Sequence, residues 1–328
     1  MKKIALEEHI SLPEYMQLRF TTPRGKLKPF PLNPEEMKHK LPAMCGVEQR
    51  LKEMEENEIA MQFLMSGTNG FDFIDDADEA VRKTTAFNDY LRSTVQRYPD
   101  KFRAFGSLPM VSPEAMAEEA RRLSSMKEFA GANISGVRLD NDYIDDERYN
   151  PFWEAVNEIS ADGRFYLYLH PCETPDNILA LYRGCEVLNG STWSWGSDTA
   201  AFLLRMVFTG LFDRYPNVRI ILGHLGEMLP YTLDRVDARW KISPLDSRNS
   251  RKPSSYFKTN VYITTSGNAS VPALKCAIDV MGADRILFAV DYPFEENREY
   301  AEFIENADIS EKDREMICYK NAERLFGL

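Results

Sequence analysis

Paired cysteines are missing from this 328-residue sequence. The count of five is odd and no two cysteines have CxxC spacing, which argues against a disulfide framework and against a zinc site of paired cysteines. Reduced thiols are typical of the cytoplasm, where we expect this protein to lie. The cysteines are Cys45, Cys172, Cys185, Cys276 and Cys318.

Long apolar runs and a positive net charge are also lacking. No run of about 18 apolar residues predicts a membrane span, and the apolar start breaks at Glu7, too early for a signal peptide. The net charge of −11 argues against nucleic acid or an anionic membrane as a partner. No Gly-rich phosphate loop follows a predicted strand, which weakens the case for a doubly wound nucleotide-binding sheet.

The sequence does contain a regular alternation of strands and helices. Hydrophobic residues make up 44% of the chain, enough for a large core. The apolar runs predict strands near 3–9, 59–66, 102–109, 134–140, 165–171, 218–224, 261–266 and 285–291. Helical patterns cover 47–58, 76–100, 112–126, 147–161, 198–214, 227–241, 271–281 and 310–326. Eight successive strand–helix units favour a single α/β domain over 1–328, a (β/α)8 TIM barrel. The alternative is an open doubly wound sheet.

A long, Pro-rich insertion follows the first predicted strand, over residues 10–46. A segment of this length at the mouth of a barrel is typical of a lid or a subunit contact. Its basic residues either attract an anionic substrate or form a solvated or subunit-facing surface. These residues are Arg19, Arg24, Lys26, Lys28, Lys38 and Lys40.

Four residues of metal-ligand type lie at the ends of predicted strands. Glu7 and His9 are two apart and share one strand face, whereas Glu8 points to the helix layer and needs a partner that the sequence does not identify. A parallel barrel brings these strand ends to one mouth. Together with His170 and Asp291, Glu7 and His9 therefore predict a site for one divalent ion, Zn2+ or Mn2+, with Mg2+ possible.

His224 ends the sixth predicted strand in the segment GHLGE, and Glu227 follows it at the start of a helix. A carboxylate beside an imidazole fixes its tautomer and raises its basicity, so the pair predicts a proton shuttle. The alternative is a core histidine held by a helix-terminal carboxylate. Arg235, two helical turns on, would suit a carboxylate substrate, or would pair on the surface with Asp234 or Asp237.

These residues lie in segments that resemble one family. The ordered set KIALEEH, FYLYLHP, GLFDRYPNVRIILGHLGE, ITTSGN, ADRILFAVDYPFE and NAERLF is similar to the amidohydrolase-related, metal-dependent decarboxylases, among them the γ-resorcylate, 2,3-dihydroxybenzoate and salicylate decarboxylases. The resemblance implies a (β/α)8 barrel, a divalent ion, and non-oxidative removal of CO2 from a small ortho-hydroxybenzoate. It also implies a homodimer or homotetramer.

The resemblance assigns roles to individual residues. Glu7, His9, His170 and Asp291 match the metal ligands, and His224 with Glu227 matches the acid–base pair. In the implied reaction Asp291 protonates the ring carbon that carries the carboxylate. Arg235, Phe294 and Trp193 match positions that line the substrate pocket.

Two other functions remain open at this point. A hydrolase or hydratase of the same superfamily, acting on a lactone or cyclic acid, would use the same ligands, with His224 or Asp291 activating water. A barrel that binds a metal or an aromatic acid without turnover is the third. At the fourth predicted strand the chain reads GVRLDN, so Arg138 and Asp140 are expected to share a face, as added charge in the pocket or as a strand–helix ion pair.

Overall fold

Eight parallel strands form one sheet in the order in which they occur along the chain. The computed structural model describes residues 1–16, 34–67, 70–138 and 141–328. The strands are β1 (Lys3–His9), β2 (Ile59–Met65), β3 (Phe102–Gly106), β4 (Phe129–Ile134), β5 (Tyr166–Leu169), β6 (Ile220–Leu222), β7 (Val261–Thr264) and β8 (Ile286–Leu287).

The sheet curls until its last strand meets its first. The Leu6 N–H donates to the Phe288 carbonyl oxygen at 3.1 Å, and the Asp291 N–H donates to the Glu7 carbonyl oxygen at 3.0 Å. A parallel bridge also links Glu8 to Tyr292. The predicted (β/α)8 barrel is confirmed.

Helices connect the strands and cover the outside of the barrel. The longer ones are α1 (Pro34–Cys45), α2 (Val47–Glu56), α3 (Ala77–Arg97), α4 (Pro113–Ser124), α5 (Asn150–Ile159), α6 (Ser194–Phe208), α7 (Leu229–Lys241), α8 (Pro253–Thr259), α9 (Val271–Met281) and α10 (Asn297–Asn306). Shorter helical segments are Pro13–Met16, Asp176–Leu179, Leu211–Arg214, Glu311–Glu315, Met316–Lys320 and Asn321–Phe326.

Side-chain caps fix two predicted helix starts. Asp76 accepts from the Glu79 N–H at 2.7 Å before α3, and Ser112 accepts from the Ala115 N–H at 3.2 Å before α4. The helix predicted over 198–214 is instead two segments, because Gly210 has a φ of 71° and ends the first of them.

The fourth strand lies earlier in the sequence than predicted, at Phe129–Ile134 rather than 134–140. It contains the small residues Ala130, Gly131 and Ala132, which carry little of the usual strand signal. Gly131 has no room for a side chain, since a Cβ there would lie 1.7 Å from the Tyr166 carbonyl oxygen.

The premise that Arg138 lies on the fourth strand is therefore wrong, because β4 ends at Ile134. Arg138 is buried in the loop that follows the strand, and its guanidinium lies 3.7 Å from Asp75. Asp140 lies outside the described residues.

Aromatic side chains fill the barrel interior below the strand ends. Phe63, Phe105 and Tyr166 are buried there, and the ring of Phe326 from the C-terminal segment lies 4.7 Å from that of Phe63. Tyr168 is the uppermost of these rings, and its hydroxyl reaches Glu7. A packed floor of this kind leaves the mouth of the barrel as the place for a site.

The insertion after β1 is described only in part. Tyr15 packs its ring 5.5 Å from Phe71 and 5.3 Å from Phe87, so the start of the insertion lies against the barrel. Residues 17–33 lie outside the described part, and the role of 10–46 as a lid or subunit contact stays a prediction. Among the described residues, no helix combines the length and apolar character needed to cross a bilayer.

Candidate metal centre and active site

The four predicted metal ligands converge at the C-terminal mouth of the barrel. The Glu7 Oε1 atom lies 3.9 Å from His9 Nε2 and 3.3 Å from His170 Nε2. Asp291 Oδ1 lies 2.8 Å from His9 Nε2. Glu7, His9 and His170 each offer an atom within reach of one ion, and Glu7 forms a second group of this kind with His224 and Asp291. Glu7 is common to both groups, so the four side chains lie around one position at the mouth, and their binding of a single ion stays a prediction.

A change of register in β1 orients these ligands. Pairing with β2 shifts between Ala5 and Glu8. Leu6 packs in the interior aromatic cluster, and the next residue, Glu7, also faces the interior, where it contacts Tyr168. Irregular pairing of this kind re-aims a side chain beside an active site.

Polar atoms left without partners make the cluster fit a cation. Glu7 and His9 are fully buried, yet Glu7 Oε1 and His9 Nε2 have no hydrogen-bond partner among the described residues. The other carboxylate oxygen of Glu7 accepts from the Tyr168 and Ser266 hydroxyls. Buried polar atoms normally have partners, and a bound divalent ion would supply one to both atoms.

The two imidazoles present the nitrogen that a metal needs. His9 Nδ1 lies 3.2 Å from the Ser66 carbonyl oxygen, and His170 Nδ1 lies 2.8 Å from the Pro171 carbonyl oxygen. A carbonyl only accepts, so Nδ1 carries the proton in both rings. The Nε2 lone pairs are therefore free to bind an ion beside Glu7.

The carboxylates of the cluster are held in the ionised form that binds cations. Burial raises the pKa of Glu7, but the nearby imidazoles of His224, His170 and His9 outweigh it and lower that pKa well below its usual range. Burial likewise opposes ionisation of Asp291, and contact with His224 and His9 lowers its pKa. It is the protonated imidazoles that lower these pKa values, and a bound cation would take over that role, because a metal is ligated by charged carboxylates and neutral imidazoles.

His224 and Glu227 lie on a left-handed turn after β6. Positive φ angles run from residue 224 to residue 228, at 53°, 52°, 77°, 49° and 65°. Each non-glycine residue in this conformation costs about 1–2 kcal/mol. The turn is held in part by the Ser266 hydroxyl, which accepts from the His224 N–H at 3.1 Å.

The turn places the predicted acid–base pair in contact. His224 Nδ1 lies 2.6 Å from Glu227 Oε1. Burial lowers the pKa of His224, but the carboxylates of Glu227 and Glu7 outweigh it and raise the pKa well above its ordinary value. A cation beside Glu7 would offset part of this increase.

The geometry offers His224 two roles. Its Nε2 lies 3.7 Å from Glu7 Oε1 and 3.7 Å from Asp291 Oδ2, within reach of the same ion. Its side chain is 21% exposed, whereas that of His9 is fully buried. A ring that faces the cavity is suited to exchanging protons there, so its role as a proton carrier stays our prediction.

A cavity of about 440 Å³ lies above the cluster. This volume is in the range of small-molecule sites. Seven of the predicted site residues line it, namely His9, His170, Trp193, His224, Glu227, Asp291 and Phe294. The Phe294 ring lies 5.5 Å from the His9 ring, so an aromatic wall stands beside the metal cluster.

Arg235 is the predicted pocket residue that the fold does not bring to this cavity. It lies exposed on α7 and is not among the described residues that line the cavity. Its predicted contact with substrate is therefore not made within the described part of one chain.

Several lining residues were not predicted. Lys40 donates to the Pro293 and Phe294 carbonyl oxygens at 3.0 and 2.6 Å, so α1 is tied to the loop after β8. The sequence identifies Lys40 only as one of the basic residues of the insertion. The cavity is also lined by Trp195, Asn268 and Glu295, and no pattern in the sequence separates these from surface residues.

Comparison with known proteins gives a consistent result. Residues 38–328 match a family model described as amidohydrolase. The γ-resorcylate decarboxylase of Polaromonas sp. is 37% identical over 99% of this chain and 98% of its own length.

Solved structures extend the likeness to the whole barrel. A 2,6-dihydroxybenzoate decarboxylase in complex with 2,6-dihydroxybenzoate has a TM-score of 0.90 and 34% identity and covers both chains fully. A dihydroxybenzoic acid decarboxylase from Polaromonas sp., with bound manganese and the inhibitor 2-nitroresorcinol, has a TM-score of 0.90 and 36% identity, with 100% and 97% of the two chains covered.

Proposed function

The chain belongs to the amidohydrolase family, and on that premise we propose that it is a metal-dependent, non-oxidative decarboxylase of ortho-hydroxybenzoates. The observation that carries the proposal is the convergence of Glu7, His9, His170 and Asp291 below an aromatic-walled cavity, with two of their buried atoms lacking hydrogen-bond partners among the described residues. These residues would hold one divalent ion, and a manganese-bound relative supports Mn2+, whereas Zn2+ stays a prediction.

The bound ion supplies a Lewis acid that stabilises negative charge on substrate oxygens. Residues of the chain bind the substrate and transfer the proton. Phe294 and Trp193 pack against the ring of the substrate and leave its carboxylate facing the ligand cluster.

Asp291 is the proposed acid. It is ionised in the resting cluster, so it first takes a proton from the His224 imidazolium. It donates a proton to the ring carbon that carries the carboxylate, and the ring loses its aromaticity. The bond between that carbon and the carboxylate then breaks, CO2 leaves, and its electron pair restores the aromatic ring. One proton is consumed for each CO2 released.

The His224–Glu227 pair supplies the proton that Asp291 donates. Asp291 Oδ2 lies 3.7 Å from His224 Nε2, and His224 Nδ1 lies 2.6 Å from Glu227. His224 faces the cavity and passes a proton to Asp291, while Glu227 stabilises the imidazolium that precedes the transfer.

Among candidate substrates γ-resorcylate is the one we favour, because four relatives that are 34–37% identical over 99% of the chain are named γ-resorcylate decarboxylase. A hydrolase or hydratase would use the same ligand set, but the relatives at 34–37% identity are named as decarboxylases.

The oligomer and the role of Arg235 form one proposal. Arg235 is exposed on α7, and Met228 and Tyr231 near the start of that helix are 43% and 84% exposed. A second copy of the chain packed on this face would cover these apolar residues and bring its Arg235 to the neighbouring cavity. The guanidinium would then bind the substrate carboxylate.

The test combines metal analysis with a substrate screen. Purified protein is assayed for bound divalent metal, then for CO2 release from γ-resorcylate, 2,3-dihydroxybenzoate and salicylate with Mn2+ or Zn2+. Release from at least one, lost on chelation and regained with Mn2+, supports the proposal. Consumption of water by a lactone without CO2 release from any ortho-hydroxybenzoate would refute it.

The Asp291→Asn variant tests the acid. Loss of a general acid costs about 100–10,000-fold in kcat, so we expect a loss in this range at saturating Mn2+. Metal content measured on the same sample separates loss of the acid from loss of the ion. A variant with bound metal and near-normal kcat would rule out Asp291 as the proton donor.

A further inference from the structure

The buried guanidinium of Arg50 contacts three parts of the barrel at its metal-binding end. Arg50 lies on α2 and has no exposed surface. One terminal nitrogen donates to the His9 carbonyl oxygen, and the other donates to Gln62 Oε1 at 3.1 Å. The guanidinium carbon lies 4.5 Å from the centre of the Tyr292 ring. One side chain thus joins β1, β2 and the segment after β8.

Glu8 belongs to the same network. Its Oε2 accepts from Gln62 Nε2 at 3.2 Å, and its Oε1 accepts from the Val290 N–H at 3.0 Å. Val290 directly precedes Asp291. The outward face of β1 is therefore tied to the residue next to a predicted ligand, and these are the partners of Glu8 that the sequence did not identify.

Backbone bonds carry this connection to the ligands themselves. The His9 N–H donates to the Tyr292 carbonyl oxygen at 2.6 Å, and the Asp291 N–H donates to the Glu7 carbonyl oxygen at 3.0 Å. Arg50 thus contacts His9 and Tyr292, the two residues that the first of these backbone hydrogen bonds joins. A shift of the guanidinium would move β1 relative to the segment that carries Asp291.

Stability alone does not explain a guanidinium at this position. Arg50 Nε is buried and has no hydrogen-bond partner among the described residues. A buried charge carries a desolvation cost that its contacts only partly return, and an apolar side chain of similar length avoids that cost. What an apolar side chain cannot do is hold two acceptors in fixed directions.

We propose that Arg50 is a positioning residue of the metal centre, which sets the separation of the His9 imidazole and the Asp291 carboxylate by holding the His9 carbonyl beside Tyr292. The inference rests on the proposed function only in requiring that these side chains bind a divalent ion. It does not depend on the substrate.

The test is metal binding by an Arg50→Lys variant. Lysine keeps the charge but cannot hold both acceptors in the planar geometry. Loss of an outer partner of a ligand weakens metal affinity by about 10–100-fold. We therefore expect the Kd for Mn2+, measured by electron paramagnetic resonance titration of metal-free protein, to rise by about that factor. We also expect the visible absorption spectrum of the Co2+-loaded variant to differ from that of the wild type.

Arg314→Lys is the matched control. Its guanidinium also donates to backbone carbonyls, those of Ile304 and Ala307, but these belong to the end of α10 and the residue after it. A purely structural role lowers the thermal midpoint without changing metal binding, and we expect this result for Arg314→Lys.

An Arg50→Lys variant with a Kd within about twofold of the wild type and an unchanged Co2+ spectrum would overturn the inference. If that variant does not fold, Gln62→Met removes one acceptor of Arg50 and one donor to Glu8, and a wild-type Kd in Gln62→Met refutes the role equally. Wild-type protein that binds Mn2+ but decarboxylates no hydroxybenzoate refutes the proposed function and leaves the Arg50 comparison valid.

Discussion

At the scale of single residues, the Glu227 carboxylate is the closest partner of the proposed proton carrier, 2.6 Å from His224 Nδ1. In Glu227→Gln the amide keeps the shape of the side chain but no longer stabilises an imidazolium. We expect kcat to fall by about 100-fold with little change in KM, because the group does not bind substrate in the proposed reaction. Steady-state kinetics at saturating Mn2+ give both constants, and an unchanged thermal midpoint shows that the fold is kept. A kcat within threefold of the wild type would contradict the relay.

The positions of the candidate ligands could be predicted one residue at a time, because a parallel barrel brings the C-terminal ends of all its strands to one mouth. An inward-facing side chain at the C-terminal end of a strand reaches the mouth, so the meeting of Glu7, His9, His170 and Asp291 there could be predicted from strand ends alone. The partners of Glu8 could not be predicted in this way. Gln62 and Val290 lie far from Glu8 in sequence, and only the register of β1 against its two neighbours brings them together.

At the scale of elements, β4 shows why a strand can escape detection. Its signal is weak because the barrel requires a glycine where β4 passes the Tyr166 backbone. In Gly131→Ala the new Cβ meets a backbone oxygen that cannot rotate away, and we expect a loss of at least about 3 kcal/mol in the free energy of unfolding. Denaturant unfolding measures it.

Gly46→Ala is the control for that substitution. The nearest atom to its new Cβ lies 3.4 Å away, so we expect a change within about 1 kcal/mol. Equal effects of the two substitutions would show that Gly131 is not confined as the structure indicates.

The short segment Leu211–Arg214 is anchored by Asp213. Its carboxylate accepts from the Ser250 N–H and hydroxyl, both at 2.8 Å, and from the Tyr256 hydroxyl at 2.6 Å. Burial raises the pKa of Asp213, but these donors outweigh it and lower the pKa below its ordinary value of 3.8. Because the folded-state pKa is depressed, the contribution to stability is complete above the ordinary value and is lost as the pH falls below it.

Asp213→Asn tests this anchor. At pH 7 we expect a loss of about 1–2 kcal/mol in the free energy of unfolding, since one charged acceptor is replaced. The difference in unfolding free energy between the variant and the wild type should become smaller as the pH is lowered from about 4 to 3. Urea unfolding across this range measures it, and a difference that stays constant with pH would show that the ionised carboxylate is not what stabilises the segment.

At the scale of the whole molecule, the barrel and its ligand cluster follow from the chain, whereas completion of the substrate pocket does not. Strand–helix alternation is a local pattern and predicts eight units. The place of Arg235 depends on which face of α7 points outward and on what covers it. One copy of the chain leaves this residue exposed and away from the cavity. A sequence carries no direct signal of a contact made in another subunit.

Complementation between subunits decides whether Arg235 acts in a neighbouring cavity. Arg235→Gln alone should lower kcat/KM by about 10–100-fold, the cost of one charged hydrogen-bond pair. Asp291→Asn alone should be nearly inactive. In a mixed oligomer of the two variants, one kind of site combines an intact Asp291 with an intact Arg235 from the other chain. We expect this mixture to recover a large fraction of wild-type activity.

The control pairs Asp291→Asn with Glu227→Gln. Asp291 and Glu227 line the same cavity of one chain, so every site in that mixed oligomer carries a defect and no activity should return. Differently tagged chains, co-expressed and purified through both tags, give the mixed species, and its CO2 release is compared with that of each parent. Failure of the Arg235→Gln and Asp291→Asn pair to exceed its parents would place the arginine outside the neighbouring site. Arg235 would then be an exposed surface residue of α7 with no part in catalysis.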